Sequence, residues 1–305
     1  MGVVIIRNPV AGGARHRSRW PSVLSAFQQT FDDLVVQESR SGVDARRLAL
    51  EAANAGATLV IAAGGDGTIS DVVDGILSSD RPDSPLAFLP LGTGSDFVRN
   101  FDLPQDPQVL AERIAAARPR QIDAARLIAS SADGKEVRRH FVNIASLGIS
   151  GEIVECVNAP GARWLSGPAR FLVHSLLAIL RYKPYRFEVL VDGHKVHTGS
   201  LALVAIANGG WFGGGMHVTP AADLTDGLFD VAVMREESVF GLIGLLRSLY
   251  SAGHIGHPQL SFHRGRQVEC RPLDPARFPV EVDGEQPITG AFVAEILPGA
   301  LTIKV

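Results

Sequence analysis

The sequence predicts two domains, an N-terminal α/β domain followed by a C-terminal antiparallel β-sandwich. The first 120 residues alternate short apolar runs with helical patterns, which is typical of a parallel sheet covered on both faces. From about residue 120, strand-like segments follow one another with turns between them, which favours an antiparallel sandwich. A chain of 305 residues is also long for one hydrophobic core and sufficient for two.

Each element of the N-terminal half has its own pattern. The run "GVVIIRNP" is apolar and β-branched and ends in Asn-Pro, as a buried strand followed by a turn would. A helix over 42–56 has Asp44 in its first turn and Gly56 past its end. Strands are predicted at 2–9, 33–39, 58–65 and from 85, and helices at 20–31, 42–56 and 68–79.

The C-terminal half is predicted to consist mainly of strands. The Asp-Gly pair in "VDGHKV" indicates a tight hairpin. The last residues, "AFVAEILPGALTIKV", are strand-like again. Strands are predicted within 138–150, 186–210, 227–234, 267–270 and 278–285, and helices at 167–182 and 238–253.

Composition excludes several classes of protein. The net charge of −3 argues against a general nucleic-acid binder, which is normally strongly basic. Cys156 and Cys270 form no CxxC pair, so neither a disulfide framework nor a zinc site is expected. No apolar stretch reaches 18 residues, and the N-terminus lacks a signal-peptide pattern. We therefore expect a cytoplasmic protein that contacts a membrane, if at all, at its surface.

Three glycine-rich polar loops follow the predicted strands: "NPVAGG", "GGDGT" and "LGTGSD". Ligands of open α/β sheets bind at the carboxyl ends of the strands, where these loops lie. Glycines allow close backbone approach, and amides at a helix N-terminus bind anions such as phosphate. Asp66 would repel a phosphate unless it orients a nucleophile or faces a metal ion; alternatively, the loop is a tight turn with Asp66 capping the next helix. Neither GxxxxGK[ST] nor a GxGxxG after the first strand is present.

Two later turns carry paired carboxylates. Asp223 and Asp226 in "ADLTDG" repel each other unless a cation lies between them, and oxygen ligands favour Mg²⁺ or Ca²⁺. Asp283 and Glu285 in "VDGE" flank a glycine, and a carboxylate beside a substrate hydroxyl can act as a general base. The alternatives are a solvated turn for the first pair and a plain hairpin turn for the second.

The order of these motifs resembles the bacterial diacylglycerol kinase and lipid kinase family, which includes the sphingosine kinases. The resemblance spans nearly the whole chain and is most specific in the glycine-rich block at 208–231 followed by "VDGE". It implies a Rossmann-like nucleotide domain (1–120 with a tail of about 288–305), a β-sandwich domain (121–287) and an active site in the cleft. It also implies transfer of the γ-phosphoryl group of ATP to a lipid hydroxyl, with Mg²⁺.

The resemblance also assigns roles to individual residues. Glu285 corresponds to the proton acceptor, with Asp283 beside it, and Asp66 and Asp96 correspond to acidic residues near the phosphates and metal. The carboxylates of Asp223 and Asp226 and the carbonyl of Leu228 correspond to a Mg²⁺ site. The nucleotide-contacting positions are Asn8, Ser39, Gly64, Gly65, Asp66, Gly67, Thr68, Ile69, Ser70, Thr93, Gly94 and Asp96.

The sequence departs from the family pattern in a few places and leaves alternatives open. Gly13 and Ala14 stand where a lysine is frequent, and Ser95 replaces the usual Asn. The expected acceptor is diacylglycerol in a membrane that the protein contacts peripherally on its inner face. Another lipid, a sphingoid base, NAD or a sugar are alternative acceptors, and a non-catalytic nucleotide- or lipid-binding protein is the third hypothesis. Homodimers are common in the family, and the sequence leaves the oligomeric state open.

Overall fold

The computed structural model describes residues 2–92, 95–130, 135–158, 167–251, 253–274 and 278–305. The chain divides into two compact units, Met1–Ala124 with Pro298–Val305, and Ala125–Leu297. The tail therefore joins the first unit at Pro298, where the sequence placed that junction near 288. Within the described ranges, no helix combines the length and the apolar character needed to cross a bilayer.

The first unit is built on a parallel sheet in the order β4-β3-β1-β2. Its central strands consist of apolar residues because helices cover both faces, and all six residues of β3 are buried. Near the C-terminus, Ile303 adds a parallel pairing to Leu86 on β4. The elements are β1 (Val3–Arg7), α1 (Gly13–Thr30), β2 (Leu34–Glu38), α2 (Gly42–Asn54), β3 (Leu59–Gly64), α3 (Asp66–Leu77), β4 (Leu86–Pro90), a 3-10 helix (Phe97–Asn100) and α4 (Pro107–Ala116).

Two helices of this unit differ from the sequence prediction. Helix α1 begins at Gly13, whereas the prediction began at residue 20. The prediction missed the first turns because they are mainly polar and show no apolar periodicity. Helix α4 was not predicted, although its start has a clear pattern. Asp106 accepts hydrogen bonds from the N–H groups of Gln108 and Val109, and Pro107 occupies the first helical position.

The core of the first unit lies on both faces of this sheet. Phe27 of α1 and Ile114 of α4 pack on one face with Ile5 and Ile61. Helices α2 and α3 pack closely against each other, and a Cβ atom at Gly75 would lie 2.3 Å from the carbonyl oxygen of Arg46. This packing fixes the direction of α3, whose N-terminus follows the "GGDGT" loop.

The second unit is an antiparallel sheet, as predicted. Its strands run in the order β16-β15-β7-β9-β8-β14-β17, with β12 paired to β9 and β13 and with β6 paired to β5. The elements are β5 (Arg120–Ser130), β6 (Glu136–Phe141), β7 (Ile144–Gly148), α5 (Ile149–Asn158), α6 (Gly167–Arg181), β8 (Tyr185–Val191), β9 (His194–Ala207), β10 (Trp211–Phe212), β11 (Met216–His217), β12 (Phe229–Arg235), α7 (Val239–Leu249), β13 (Leu260–Gly265), β14 (Gln267–Pro272), β15 (Pro279–Val282), β16 (Glu285–Thr289) and β17 (Phe292–Ile303).

The predicted "VDGHKV" hairpin joins β8 to β9, and Asp192 and Gly193 both have positive φ values, of 49° and 76°. The sequence missed helix α5 and the strands β5, β10, β11, β13 and β16. The apolar run that predicted a strand to residue 150 turns into a helix after Gly148, where φ is 95°. A Cβ atom at Gly148 would lie 2.4 Å from the carbonyl oxygen of Ala202, so only glycine fits this turn.

Two apolar clusters hold the second unit together, and helices supply part of only one of them. Phe141, Phe187 and Phe229 belong to a cluster formed by strand residues and their connections. Ile179 of α6 and Leu245 of α7 belong to the other, together with residues of β7, β9 and β12. Helix α6 therefore contributes to the core of this unit.

Candidate active site

The backbone of the loop between β3 and α3 packs directly against the backbone of the loop that follows β4. The N–H groups of Leu91 and Gly92 donate to the carbonyl oxygen of Gly64, at 2.8 and 3.1 Å. A Cβ atom at Gly92 would lie 2.5 Å from the Cα of Gly65, and one at Gly64 would lie 2.3 Å from the Oγ1 of Thr68. This close approach therefore requires glycine at positions 64 and 92.

We expect Gly92→Ala to lower the free energy of unfolding by about 1–3 kcal/mol, because the added methyl group overlaps the backbone of Gly65. Urea unfolding followed by far-UV circular dichroism measures the change. Gly65→Ala is the matched control, since its Cβ would lie 3.4 Å from Gly92. Equal losses in the two variants would contradict the close-approach argument.

The N-terminus of α3 lacks a capping side chain, because its N-cap residue is Gly65. The first backbone bond of the helix runs from the N–H of Ile69 to the carbonyl oxygen of Gly65, at 3.0 Å. The carboxylate of Asp66 accepts the N–H of Phe97 at 3.0 Å, so it ties the start of the 3-10 helix to this loop. The structure thus does not show Asp66 as the helix cap, and the first-turn amides of α3 form the kind of site that binds phosphate.

Other predicted nucleotide positions gather at the same edge of the sheet. The side-chain amide of Asn8, which follows β1, donates to the Oγ1 of Thr68 at 3.3 Å. The N–H of Asn8 donates to Ala63 on β3, and the N–H of Ser39 donates to Arg7 on β1. Asn8 and Ser39, which follow β1 and β2, and Thr68 in the first turn of α3 therefore lie at the carboxyl edge of the sheet.

The remaining nucleotide positions are placed differently. The side chains of Ile69 and Ser70 are fully buried in α3. Asp96 is buried, and its Oδ1 pairs with the Nε of Arg99 at 3.2 Å. Thr93 and Gly94 lie outside the described residues.

The two acidic residues of "VDGE" have different environments. Asp283 is buried with φ of 49°, and its carboxylate accepts the N–H groups of Val142, Asn143 and Ile144 at 3.0–3.1 Å. Glu285 begins β16 with its side chain 45% exposed, and Arg139 lies 3.6 Å away. Asp283 therefore fixes the turn, whereas the carboxylate of Glu285 is partly exposed to solvent.

A third acidic residue, which no sequence motif indicated, lies at this turn. Glu281 is buried, and one of its oxygens accepts the N–H of Gly284 at 2.6 Å. The other oxygen accepts the hydroxyl of Ser146, which lies 2.8 Å from the hydroxyl of Ser150. A glutamate between two valines in a strand was the available indication, because a buried carboxylate needs such partners.

The carboxylates of the predicted metal loop, "ADLTDG", form hydrogen bonds and an ion pair with other protein groups. One oxygen of Asp223 accepts both the N–H and the hydroxyl of Thr225, and Asp226 accepts the N–H of Leu228 at 2.9 Å. The second oxygen of Asp226 forms an ion pair with Arg264. Across the described ranges, no group of three or more His, Cys, Asp or Glu side chains is arranged to hold a metal ion. Asp223, Asp226 and Leu228, as they stand, therefore do not fit the predicted Mg²⁺ site.

Family comparisons match both parts of the chain. Residues 2–127 match the diacylglycerol kinase catalytic domain. Residues 143–305 match the YegS C-terminal NAD kinase beta sandwich-like domain. The matches agree with the fold class predicted from the sequence, an α/β domain followed by an antiparallel sandwich, which the structure confirms.

Individual relatives agree with these matches. A protein named probable lipid kinase YegS-like from Chromohalobacter salexigens is 32% identical, over 88% of this chain and 83% of its own. A diacylglycerol kinase from Mycobacterium tuberculosis is 27% identical, over 88% and 85%. The crystal structure of a diacylglycerol kinase from Bacillus anthracis shares the fold, with a TM-score of 0.71, 20% identity and coverage of 99% and 96%. The chain belongs to the family of lipid kinases that comprises the diacylglycerol kinases and the YegS-like proteins.

Proposed function

We propose that this lipid kinase transfers the γ-phosphoryl group of ATP to a lipid hydroxyl, with diacylglycerol as acceptor and phosphatidic acid as product. The observation that carries the ATP part is the glycine loop before α3, which directs uncapped helix amides outward from the carboxyl edge of the sheet. The name of the Mycobacterium tuberculosis relative supports diacylglycerol as the acceptor.

Glu285 is the proposed general base. The lipid hydroxyl oxygen attacks the γ-phosphorus, the bond from that phosphorus to the β,γ-bridging oxygen breaks, and the hydroxyl proton moves to the Glu285 carboxylate. Its exposed position suits this role, whereas Asp283 and Glu281 hold the turn on which it stands. Phosphoryl transfer depends mainly on positioning and electrostatics, so these few groups suffice.

Mg²⁺ is proposed to enter with the nucleotide, whose phosphate charge it would neutralise. Asp66 and Asp96 are the acidic residues nearest in sequence to the phosphate loops, and each also has a protein partner. No step of the reaction is assigned to the loop of Asp223 and Asp226.

The test is transfer of radioactive γ-phosphate from ATP to a panel of acceptors, with Mg²⁺ and with EDTA. Diacylglycerol, ceramide, a sphingoid base and phosphatidylglycerol are presented in mixed micelles, and NAD and sugars in solution. We expect diacylglycerol to be phosphorylated to phosphatidic acid with Mg²⁺ and not with EDTA. A product from NAD or a sugar alone would overturn the lipid assignment, and ATP binding without any product would favour a binding protein.

The proposed contact with the membrane surface involves the end of α6. Leu177 and Leu180 point outward from this helix, with Leu180 63% exposed, and the exposed cations Arg181 and Lys183 follow. Each cation near an anionic surface contributes about 1 kcal/mol, and the leucines add apolar contact. We infer that this patch touches the inner face of the membrane.

Leu180→Glu is expected to weaken binding to vesicles of phosphatidylglycerol and phosphatidylcholine about tenfold, because it replaces apolar contact with a charge that anionic lipid repels. Vesicle sedimentation measures the binding. Val109→Glu on α4 is the control, since Val109 is also exposed, at 51%, and lies in the other unit. Undiminished binding by Leu180→Glu would exclude this patch.

A further inference from the structure

The loop of Asp223 and Asp226 leads directly into a strand that carries a third carboxylate. Asp230 lies on β12, and its register partner on the neighbouring antiparallel strand β13 is Arg264. The Nε of Arg264 is 3.5 Å from the Oδ1 of Asp230, and its Nη2 pairs with the Oδ2 of Asp226. One guanidinium therefore bridges two of the three carboxylates.

The carboxylates of Asp226 and Asp230 need a positive charge beside them, because like charges repel each other. Asp230 is buried, and the guanidinium of Arg264 pairs with both its carboxylate and that of Asp226. Removing the positive charge would leave like charges close together, one of them screened from water. The strand pairing of β12 with β13 places Arg264 opposite Asp230, so the sheet itself positions the guanidinium beside the carboxylates.

The donors present match a guanidinium better than a divalent ion. Arginine offers five N–H groups in a planar fork that suits carboxylates, whereas Mg²⁺ requires near-octahedral oxygen ligands at about 2.0–2.1 Å. The other oxygen of Asp226 already accepts the N–H of Leu228, and Asp223 accepts two groups of Thr225. Protein groups thus already contact both carboxylate oxygens of Asp226 and one carboxylate oxygen of Asp223.

We propose that Arg264 supplies the positive charge of this loop, and that the loop holds no resident divalent cation. The chain would then need Mg²⁺ only together with its nucleotide. The inference concerns the architecture of the second unit and does not rest on the identity of the lipid acceptor or on the proposed base.

The test is thermal unfolding of the full chain without nucleotide, in EDTA and in increasing MgCl₂ at constant ionic strength. The wild-type midpoint is expected to stay unchanged. Arg264→Ala is expected to lower the midpoint in EDTA by about 3 °C and to regain part of it with Mg²⁺ in a saturable way. Arg266→Ala, in the same segment and outside this cluster, is the control and should behave like the wild type.

Two results would overturn the proposal. The first is a saturable Mg²⁺-dependent rise of the wild-type midpoint that Asp226→Asn abolishes, because it would reveal a resident ion. The second is an Arg264→Ala midpoint in EDTA equal to that of the wild type. If Arg264→Ala fails to fold, the wild type and Asp226→Asn still decide the question, and Mn²⁺ binding followed by electron paramagnetic resonance gives an independent measure of a bound ion.

Discussion

Glu285→Gln is expected to lower the rate of lipid phosphorylation by about 10²–10⁴-fold, because an amide cannot accept the hydroxyl proton. Stability should change little, since the Glu285 side chain is half-exposed and its contact with Arg139 is 3.6 Å long. Initial rates with radioactive ATP and diacylglycerol micelles give the first quantity, and urea unfolding gives the second.

A matched control separates loss of the base from loss of a surface charge. Glu136→Gln also removes an exposed glutamate that pairs with an arginine, here Arg138, in the same unit. We expect this variant to keep its activity, and both variants to bind ATP with wild-type affinity. Wild-type rates in Glu285→Gln would remove the proposed base and require another residue in its place.

Asp283→Ala is expected to lower the free energy of unfolding by about 3 kcal/mol or more, because it leaves three buried N–H groups without their acceptor. Asp283→Asn should lose less, since asparagine keeps one acceptor oxygen and tolerates the left-handed φ of 49°. Urea unfolding of the two variants and the wild type measures both losses.

The hairpin residue Asp192 provides the control for this prediction. It has the same φ of 49°, and its carboxylate accepts the N–H groups of Arg266 and Gln267 at 2.8–2.9 Å, but it is exposed. Asp192→Ala should therefore cost only about 1 kcal/mol, because water can replace the lost acceptor. Similar losses at Asp283 and Asp192 would show that burial does not govern the effect.

The sequence predicts most of the fold because its patterns are local. The apolar run of β3, the glycines after it and the Asp-Gly hairpin each fit within a few residues, and the structure confirms them. The start of helix α1 was missed because Ala14 is its only apolar residue before Trp20, so no apolar period is visible there. Helix α5 was missed because its apolar residues continue the run of a preceding strand.

The site is predictable only in part, since its partners are remote in sequence. The loops of Asn8 and Thr68 were predicted at one edge of the sheet because each follows a parallel strand, and the two side chains are in contact there. Glu281 and Ser146 are 135 residues apart, and Asp226 and Arg264 are 38 residues apart. No local pattern connects such pairs, so the closure of the predicted metal loop by an arginine emerges only from the strand register.

The first unit is built from two segments that are far apart in the sequence, and this has a consequence for biosynthesis. This unit begins the chain, yet its last residues are Pro298–Val305, where Gly299 donates to Asp123 at 2.7 Å and Lys304 donates to Leu86 at 2.9 Å. A ribosome adds about 5–20 residues per second, so the roughly 170 residues between these parts take about 10–35 s to synthesise. During that interval β4 lacks its pairing with the C-terminal residues Ile303 and Lys304, and an unpaired strand edge is a template for aggregation. A nascent chain stalled before residue 298 should therefore depend more on chaperones than a chain that includes Pro298–Val305.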